Sequence, residues 1–232
     1  MLFNSYEFVI FFVFVLTIVT IIKHRQFQHL FLVGISYFFF YFSSNYLLSL
    51  LIASTILDFY IAKQIWKTRN KKQKKILLSI SLVGNLSLLG FFKYADFAID
   101  QFNILGNYFD LGTSIPFLDL ILPIGISFYT FQTISYTIDV YRGHLEPSKS
   151  LKEFSLFVAF FPQLVAGPIL RAKDFLPQLR EKIDNSNGIS KIKQITIHPT
   201  NLKIGITLMA FGFLKKMFFA DNIAPMVNEI FA

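Results

Sequence analysis

ILPIGISFYTFQTISYTIDVYRGHLEPSKSLKEFSLFVAFFPQLVAGPILRAKDFLPQLR, residues 121–180, decides how the rest of the chain is read. Its first part, 120–141, is apolar over a membrane-crossing length. Its second, 154–170, is equally apolar but carries Pro162, Gly167 and Pro168 and runs into Arg171, Lys173 and Arg180. A proline inside a helix removes a backbone donor and crowds the preceding turn. At membrane depth the freed groups need protein or cavity water as partners, because lipid offers none. The stretch predicts an all-α polytopic transmembrane helix bundle with a re-entrant or broken helix near 154–170, and it places function near that break.

Composition supports a membrane setting. The 232 residues are 54% hydrophobic, 30 of them Phe, and only 16% charged. A soluble domain would carry about 25% charge. With no cysteine, disulfides and Cys-based zinc sites are excluded. The net charge of +8 does not indicate nucleic acid, because the basic residues fall in short segments between apolar runs rather than on one face of a soluble fold. The N-terminus has no Lys or Arg before Lys23 and no small-residue cleavage pattern, so it reads as a first transmembrane helix rather than a cleaved signal.

Six spans are predicted, over 8–22, 30–42, 47–61, 76–92, 120–141 and 204–219. Residues 102–109 are too short to cross and are placed at the interface, and the tail from 222 begins a further helix. Seven Lys/Arg and no acid lie in 63–75, whereas 94–120 holds Asp96, Asp100, Asp110 and Asp119 and no Lys or Arg. The positive-inside rule puts the first segment in the cytoplasm and the second outside. Counting back sets the N-terminus outside, in a multi-pass protein of the cytoplasmic (inner) membrane. Counting forward flanks 154–170 with cytoplasmic charge on both sides, the arrangement of a segment that enters and leaves by one face. The polar stretch 182–203, with Lys182, Lys191, Lys193 and Lys203, reads as a cytoplasmic loop against anionic headgroups. No internal repeat is visible.

LPIGISFYTFQTISYTIDVYRG, FFPQLVAGPILR and LPQL resemble the signature of the membrane-bound O-acyltransferase family. The similarity points to the bacterial branch that holds the alginate O-acetyltransferase membrane subunit and the D-alanyl transfer protein of teichoic acids. FFKYADF at 91–97 and GFLKKMFFADNIAP at 212–225 fit it too, the latter resembling a family segment of the form G-x-x-K-K-x-x-x-A-D. The resemblance covers 1–232 as a single N-terminal transmembrane region. It implies O-acyl, first of all O-acetyl, transfer to a polysaccharide hydroxyl, with a histidine as general base. Family members carry that histidine downstream, after segments like Y-F-D-F-S-G-Y-S-D and W-R-R-W-H. Neither is present here, so the C-terminal catalytic half is expected to be absent, no catalytic residue is assigned, and the chain alone is expected to be inactive.

His24, His29, His144 and His198 all lie near charged or polar segments and read as surface or headgroup-level residues. Asp139 is either an interfacial partner of Arg142 beside the Tyr141 anchor, or a funnel-lining group. Asp58 poses the same choice, with Lys63 as its nearby partner. Gln163, Gly167, Pro168 and Arg171 form the strongest substrate-binding set. Gly167 permits close backbone approach, Gln163 bonds freed backbone or substrate, and Arg171 holds a phosphate or carboxylate of the donor. The alternative is that this loop only shapes the fold. Lys215 and Lys216 either close a helix C-terminus or line the donor entrance.

No metal and no bound cofactor are implied, and acetyl-CoA or an acyl-carrier thioester is the expected substrate donor. Expected partners are membrane lipid, an acyl carrier or periplasmic polysaccharide-modifying protein, and a downstream C-terminal fragment. Two other readings stay open: a non-catalytic membrane module, and one half of a split acyltransferase.

Overall fold

The computed structural model describes residues 5–44, 47–109, 112, 114–120, 122, 125–164, 170–181, 191–192 and 195–231. In chain order the helices are α1 Tyr6–Ile21, α2 Arg25–Ser44, α3 Leu48–Lys67, α4 Lys71–Tyr108, α5 Ile126–Tyr141, α6 Leu151–Ala159, α7 Phe161–Leu164 and α8 Ala172–Phe175. They are followed by a 3₁₀ turn Leu176–Leu179, then α9 Pro199–Phe213, a π-helical stretch Leu214–Ala220 and α10 Asp221–Phe231. The only strands among the described residues are the two-residue pair β1 Arg180–Glu181 and β2 Lys191–Ile192, antiparallel, with Arg180 opposite Ile192. The helical expectation is met.

The chain divides into two compact units. One comprises residues 1–28 and 194–232, the other 29–193. In the first, the Gln28 side chain ties α1 to the segment before α9. Its Nε2 donates to the carbonyls of Val19 (2.9 Å) and Ile195 (2.8 Å), while its Oε1 accepts from the Ile195 N–H (2.8 Å). No residue of α9 or of the π stretch is buried.

The second unit is built on α3, α4 and α5, which pack on one another, with α6 against α3 and α5. Its helices are amphipathic in the inverted sense. On α4, Ser81 and Asn85 are buried while Ile76, Ile80 and Val83 are exposed. On α3, Ser54, Thr55 and Asp58 are buried while Ile56, Leu57 and Tyr60 face out. On α5, Gln132, Thr133, Thr137 and Asp139 are buried while Phe128 and Phe131 are half-exposed. Water would impose the opposite pattern. Apolar groups outward and hydrogen-bonding groups inward is the arrangement lipid imposes. Among the described residues two helices, α3 and α4, are long and apolar enough to cross a membrane, and α1 is apolar over 16 residues.

Several boundaries differ from the sequence expectation. The α4 helix is one rod of 38 residues, started by the Asn70 side chain accepting from the Lys72 N–H. Residues 102–109 are therefore its continuation rather than a separate interfacial piece. Asp96 and Asn103 lie on α4 and pin the returning irregular segment 114–120. Asp96 accepts from the Leu118 N–H (2.8 Å), and Asn103 makes a two-way bond with Ile115 (2.9 and 2.8 Å). The α5 helix begins at Ile126, not near 120, because Gly125 has φ +76° and cannot continue a right-handed helix. The α2 and α3 helices run longer than drawn, to Ser44 and Lys67.

Candidate functional site

The break in the apolar segment falls at Phe160, between α6 and α7, where the backbone turns to φ −54°, ψ 108°. Pro162 sits second in α7, where a missing N–H costs little. An unbroken helix would carry the bond from the Phe161 N–H to the Phe157 carbonyl. Here each half of that rung has another partner. The Phe161 N–H donates to Ser36 Oγ of α2 (3.3 Å), and Gln132 Nε2 of α5 donates to the Phe157 carbonyl (2.7 Å). Both bonds are buried, so two side chains splice a gap that lipid would leave unsatisfied. Ring contacts hold the same region: Tyr136–Phe154 at 4.3 Å and Phe39–Phe161 at 5.6 Å between centroids.

The N-terminus of α5 meets the far side of the break. A Cβ on Gly125 would lie 2.6 Å from the Leu164 carbonyl oxygen. The glycine of LPIG and the end of FFPQL are thus in direct backbone contact. One and two turns into α5 the buried face is hydroxyl-rich. The Tyr129 hydroxyl and Thr130 Oγ1, both on fully buried residues, have no hydrogen-bond partner among the described residues. Polar atoms in that state are uncommon in folded proteins and suit a ligand's polar groups.

At the other end of α5, the sequence DVYRGH forms a Schellman cap. The His144 N–H bonds the Asp139 carbonyl (2.9 Å) and the Gly143 N–H bonds that of Val140 (3.1 Å), with Gly143 at φ +76°. The cap folds the His144 ring back so that Nδ1 stands 4.0 Å from Asp139 Oδ1. Asp139 is buried and its Oδ2 has no partner among the described residues. His144, not Arg142, is therefore the neighbour of Asp139, and Arg142 is exposed. Beside this cap the Tyr136 hydroxyl accepts from the Ser148 N–H (2.9 Å).

Asp58 lies between the three central helices. Ser81 and Asn85 of α4 donate to its two oxygens, the latter at 2.8 Å, Thr137 of α5 approaches at 3.4 Å, and Ser54 donates to the Asn85 carbonyl oxygen at 2.7 Å. The expected partner, Lys63, goes elsewhere: its ammonium sits 4.2 Å over the Phe59 ring and donates to the Lys149 carbonyl (3.3 Å). This neutral-donor knot was missed in the sequence because Ser, Asn and Thr carry no charge to mark them.

Of the predicted set, Gln163 is half-buried next to the break, and Arg171 is exposed at the start of α8. Gly167 and Pro168 lie outside the described residues. Asp139 and Arg142 belong to the cap, at the other end of α5. His24, His144 and His198 are exposed, but His29 is fully buried, contrary to its reading as a surface residue. Lys215 and Lys216 do not close a helix; they lie within the π stretch, where Lys216 pairs with Asp221. No cluster able to hold a metal is present among the described residues.

Inverted amphipathicity and a side-chain-spliced helix break define a helical membrane protein. Comparison with known proteins gives its family. The chain is 35% identical over 210 residues to the probable alginate O-acetylase AlgI of Azotobacter vinelandii and 34% identical over 236 residues to that of Pseudomonas aeruginosa. It is 32% identical over 230 residues to the peptidoglycan O-acetyltransferase of Helicobacter pylori. These matches cover 89%, 100% and 89% of this chain but 39%, 42% and 41% of the relatives, so it spans about two fifths of their length. No family model and no solved structure matches. The chain belongs to the membrane-bound O-acyltransferase family.

Proposed function

We propose that the chain is an N-terminal portion of a membrane O-acyltransferase that moves an acetyl group onto a hydroxyl of an extracytoplasmic polysaccharide. It forms a polytopic bundle of about six spans in the cytoplasmic membrane, N-terminus outside, with 154–170 re-entrant from the cytoplasmic face. An acetyl thioester, acetyl-CoA or an acyl carrier, approaches from the cytoplasm, and the acceptor approaches from outside. The acceptor oxygen bonds the acyl carbon, the carbon–sulfur bond breaks, the hydroxyl proton passes to a histidine base and the sulfur leaves as thiolate. That base belongs to sequence outside the two fifths of the relatives spanned here. Asp139, Gln163 and Arg171 supply polar contacts along the substrate path.

The observation that supports this most is the meeting of two signature segments at one break, where Gly125 touches Leu164 and Gln132 holds Phe157. Placement by fixed contacts is what a site needs to orient reactants.

The test is acetylation of exported polysaccharide in a strain lacking its own enzyme, given this chain with and without the C-terminal remainder of a relative. Transfer is expected only with both, and Arg171→Ala should reduce it. Transfer by the 232-residue chain alone, lost when one of its four histidines is replaced, would overturn the proposal.

A further inference from the structure

One face of α4 carries a shallow groove of about 720 Å³ along Lys72, Lys75, Ile76, Ser79, Ile80 and Val83. It is the outward face: Ser81 and Asn85 are buried, while Ile76, Ile80 and Val83 are exposed. In a helix with hydrogen-bonding groups inward, the apolar face is the one lipid covers. From Lys72 to Val83 the groove follows eleven helical steps, about 16 Å at roughly 1.5 Å each. That is close to one leaflet of a hydrocarbon core about 30 Å thick.

The lining changes chemistry along this length. Lys72 and Lys75 come first, Ser79 lies one turn below Lys75, and Ile80 and Val83 follow. Both lysines are exposed, and neither ammonium has an ion-pair or hydrogen-bond partner among the described residues. No Asp or Glu occurs in 59–95. The first turn of α4 holds no acid, so these cations face the positive end of the helix dipole, which disfavours them. The Ser79 hydroxyl is likewise exposed and without a partner among the described residues. Trp66, the chain's single Trp, is exposed at the end of α3, just before the turn into α4. Tryptophan gathers at headgroup depth, which sets the two lysines at the level of lipid phosphates. Uncompensated cations at headgroup depth, a polar hydroxyl below them and an apolar ladder below that match one molecule in order.

We infer that this face of α4 is a binding site for an anionic phospholipid. Its phosphate lies between Lys72 and Lys75, its ester region at Ser79, and one acyl chain along Ile80 and Val83. The site stands apart from the acyl-transfer reading and from the break between α6 and α7.

The experiment is native mass spectrometry of the 232-residue chain released from detergent, after equilibration with equal amounts of phosphatidylglycerol and phosphatidylcholine. One phosphatidylglycerol should be retained in preference to phosphatidylcholine. Lys72→Gln with Lys75→Gln keeps helix propensity and should lower that preference about tenfold, at roughly fivefold or less for each cation. Lys71→Gln with Lys74→Gln removes the same charge from the same turns, outside the groove, and should leave most of the preference. Ser79→Phe, a swap of near-equal helix propensity at an exposed position, fills the groove midway and should abolish retention of the lipid. Equal retention of both lipids by the natural chain would overturn the proposal, as would equal loss in the two lysine pairs, the mark of diffuse attraction. So would retention unchanged by Ser79→Phe, or displacement of the lipid by inorganic phosphate at equal concentration, the mark of a site for the anion alone.

Discussion

Replacing Gln132 by methionine keeps nearly the same length and volume but removes the donor that serves the Phe157 carbonyl at 2.7 Å. The carbonyl is buried, with Phe157 fully inside, so water cannot replace the lost partner. A buried polar group left unmade costs about 1–3 kcal/mol. For a chain of this size that lowers Tm by roughly 2–4 °C for each kcal/mol. Ser36→Ala should cost less, because its bond to the Phe161 N–H is longer, 3.3 Å. The double variant is the sharper measurement. With both splints gone, the Phe161 N–H and the Phe157 carbonyl are free to meet, which would restore about 1 kcal/mol. The double loss should then be smaller than the sum of the single losses, and coupling of that size is measurable between neighbouring sites. The assay is thermal unfolding in detergent followed by circular dichroism at 222 nm. A Gln132→Met chain with the Tm of the natural one would refute the splice, and strict additivity would show that the two bonds do not belong to one broken rung.

Two glycines with the same φ give a matched comparison. Gly143→Ala strains only the left-handed conformation, since nothing lies within 4 Å of the new Cβ, and should cost about 1–2 kcal/mol. Gly125→Ala adds a 2.6 Å clash with the Leu164 carbonyl and should cost clearly more in the same unfolding measurement. Asp58→Ala strips Ser81 and Asn85 of a buried acceptor and should destabilise by several kcal/mol, whereas Lys63→Met, remote from that knot, should cost under about 1 kcal/mol; equal losses would contradict the assignment of partners. Gln73→Cys and Asn107→Cys, both exposed positions in a chain with no native cysteine, report sidedness. An impermeant thiol reagent on intact cells should label only the second, and labelling of both would reject the proposed orientation.

The part of this architecture legible in the sequence was the part written in composition and in proline. Apolar runs marked α1, α2 and α3, and Pro162 announced a break within two residues of where it occurs. The length of α4 was hidden because Lys93, Asp96 and Asp100 lower its hydropathy without stopping a helix: they lie on a continuous helical path with no proline or cap among them. The true partners at the break were hidden for another reason. Ser36 lies 125 residues before Phe161, and Gln132 lies 25 before Phe157. No local pattern links them, and neither residue type attracts notice among so many Phe and Leu. The Asp139–His144 pair was within reach, since Gly143 followed by His144 after a helical run is the sequence mark of a Schellman cap, which brings the residue after the glycine back over the last turn.

The π stretch Leu214–Ala220 has a consequence of its own. The Asp221 N–H reaches back five residues, to the Lys216 carbonyl, and Asn222 Nδ2 takes up the Phe218 carbonyl at 2.6 Å. Wider turns accommodate one residue more than an α-helix would over the same rise. Each α-helical residue turns the axis by about 100°, since 3.6 residues complete a circle. The stretch therefore works as a phase shift. It sets the compass direction in which the apolar stripe of α10, Ile223, Met226, Val227 and Ile230, points relative to α9. Removing one residue from Lys215–Phe219 would leave both helices intact and swing that stripe by roughly a quarter of a circle, so the chain's sensitivity to such a deletion measures how much depends on where α10 faces.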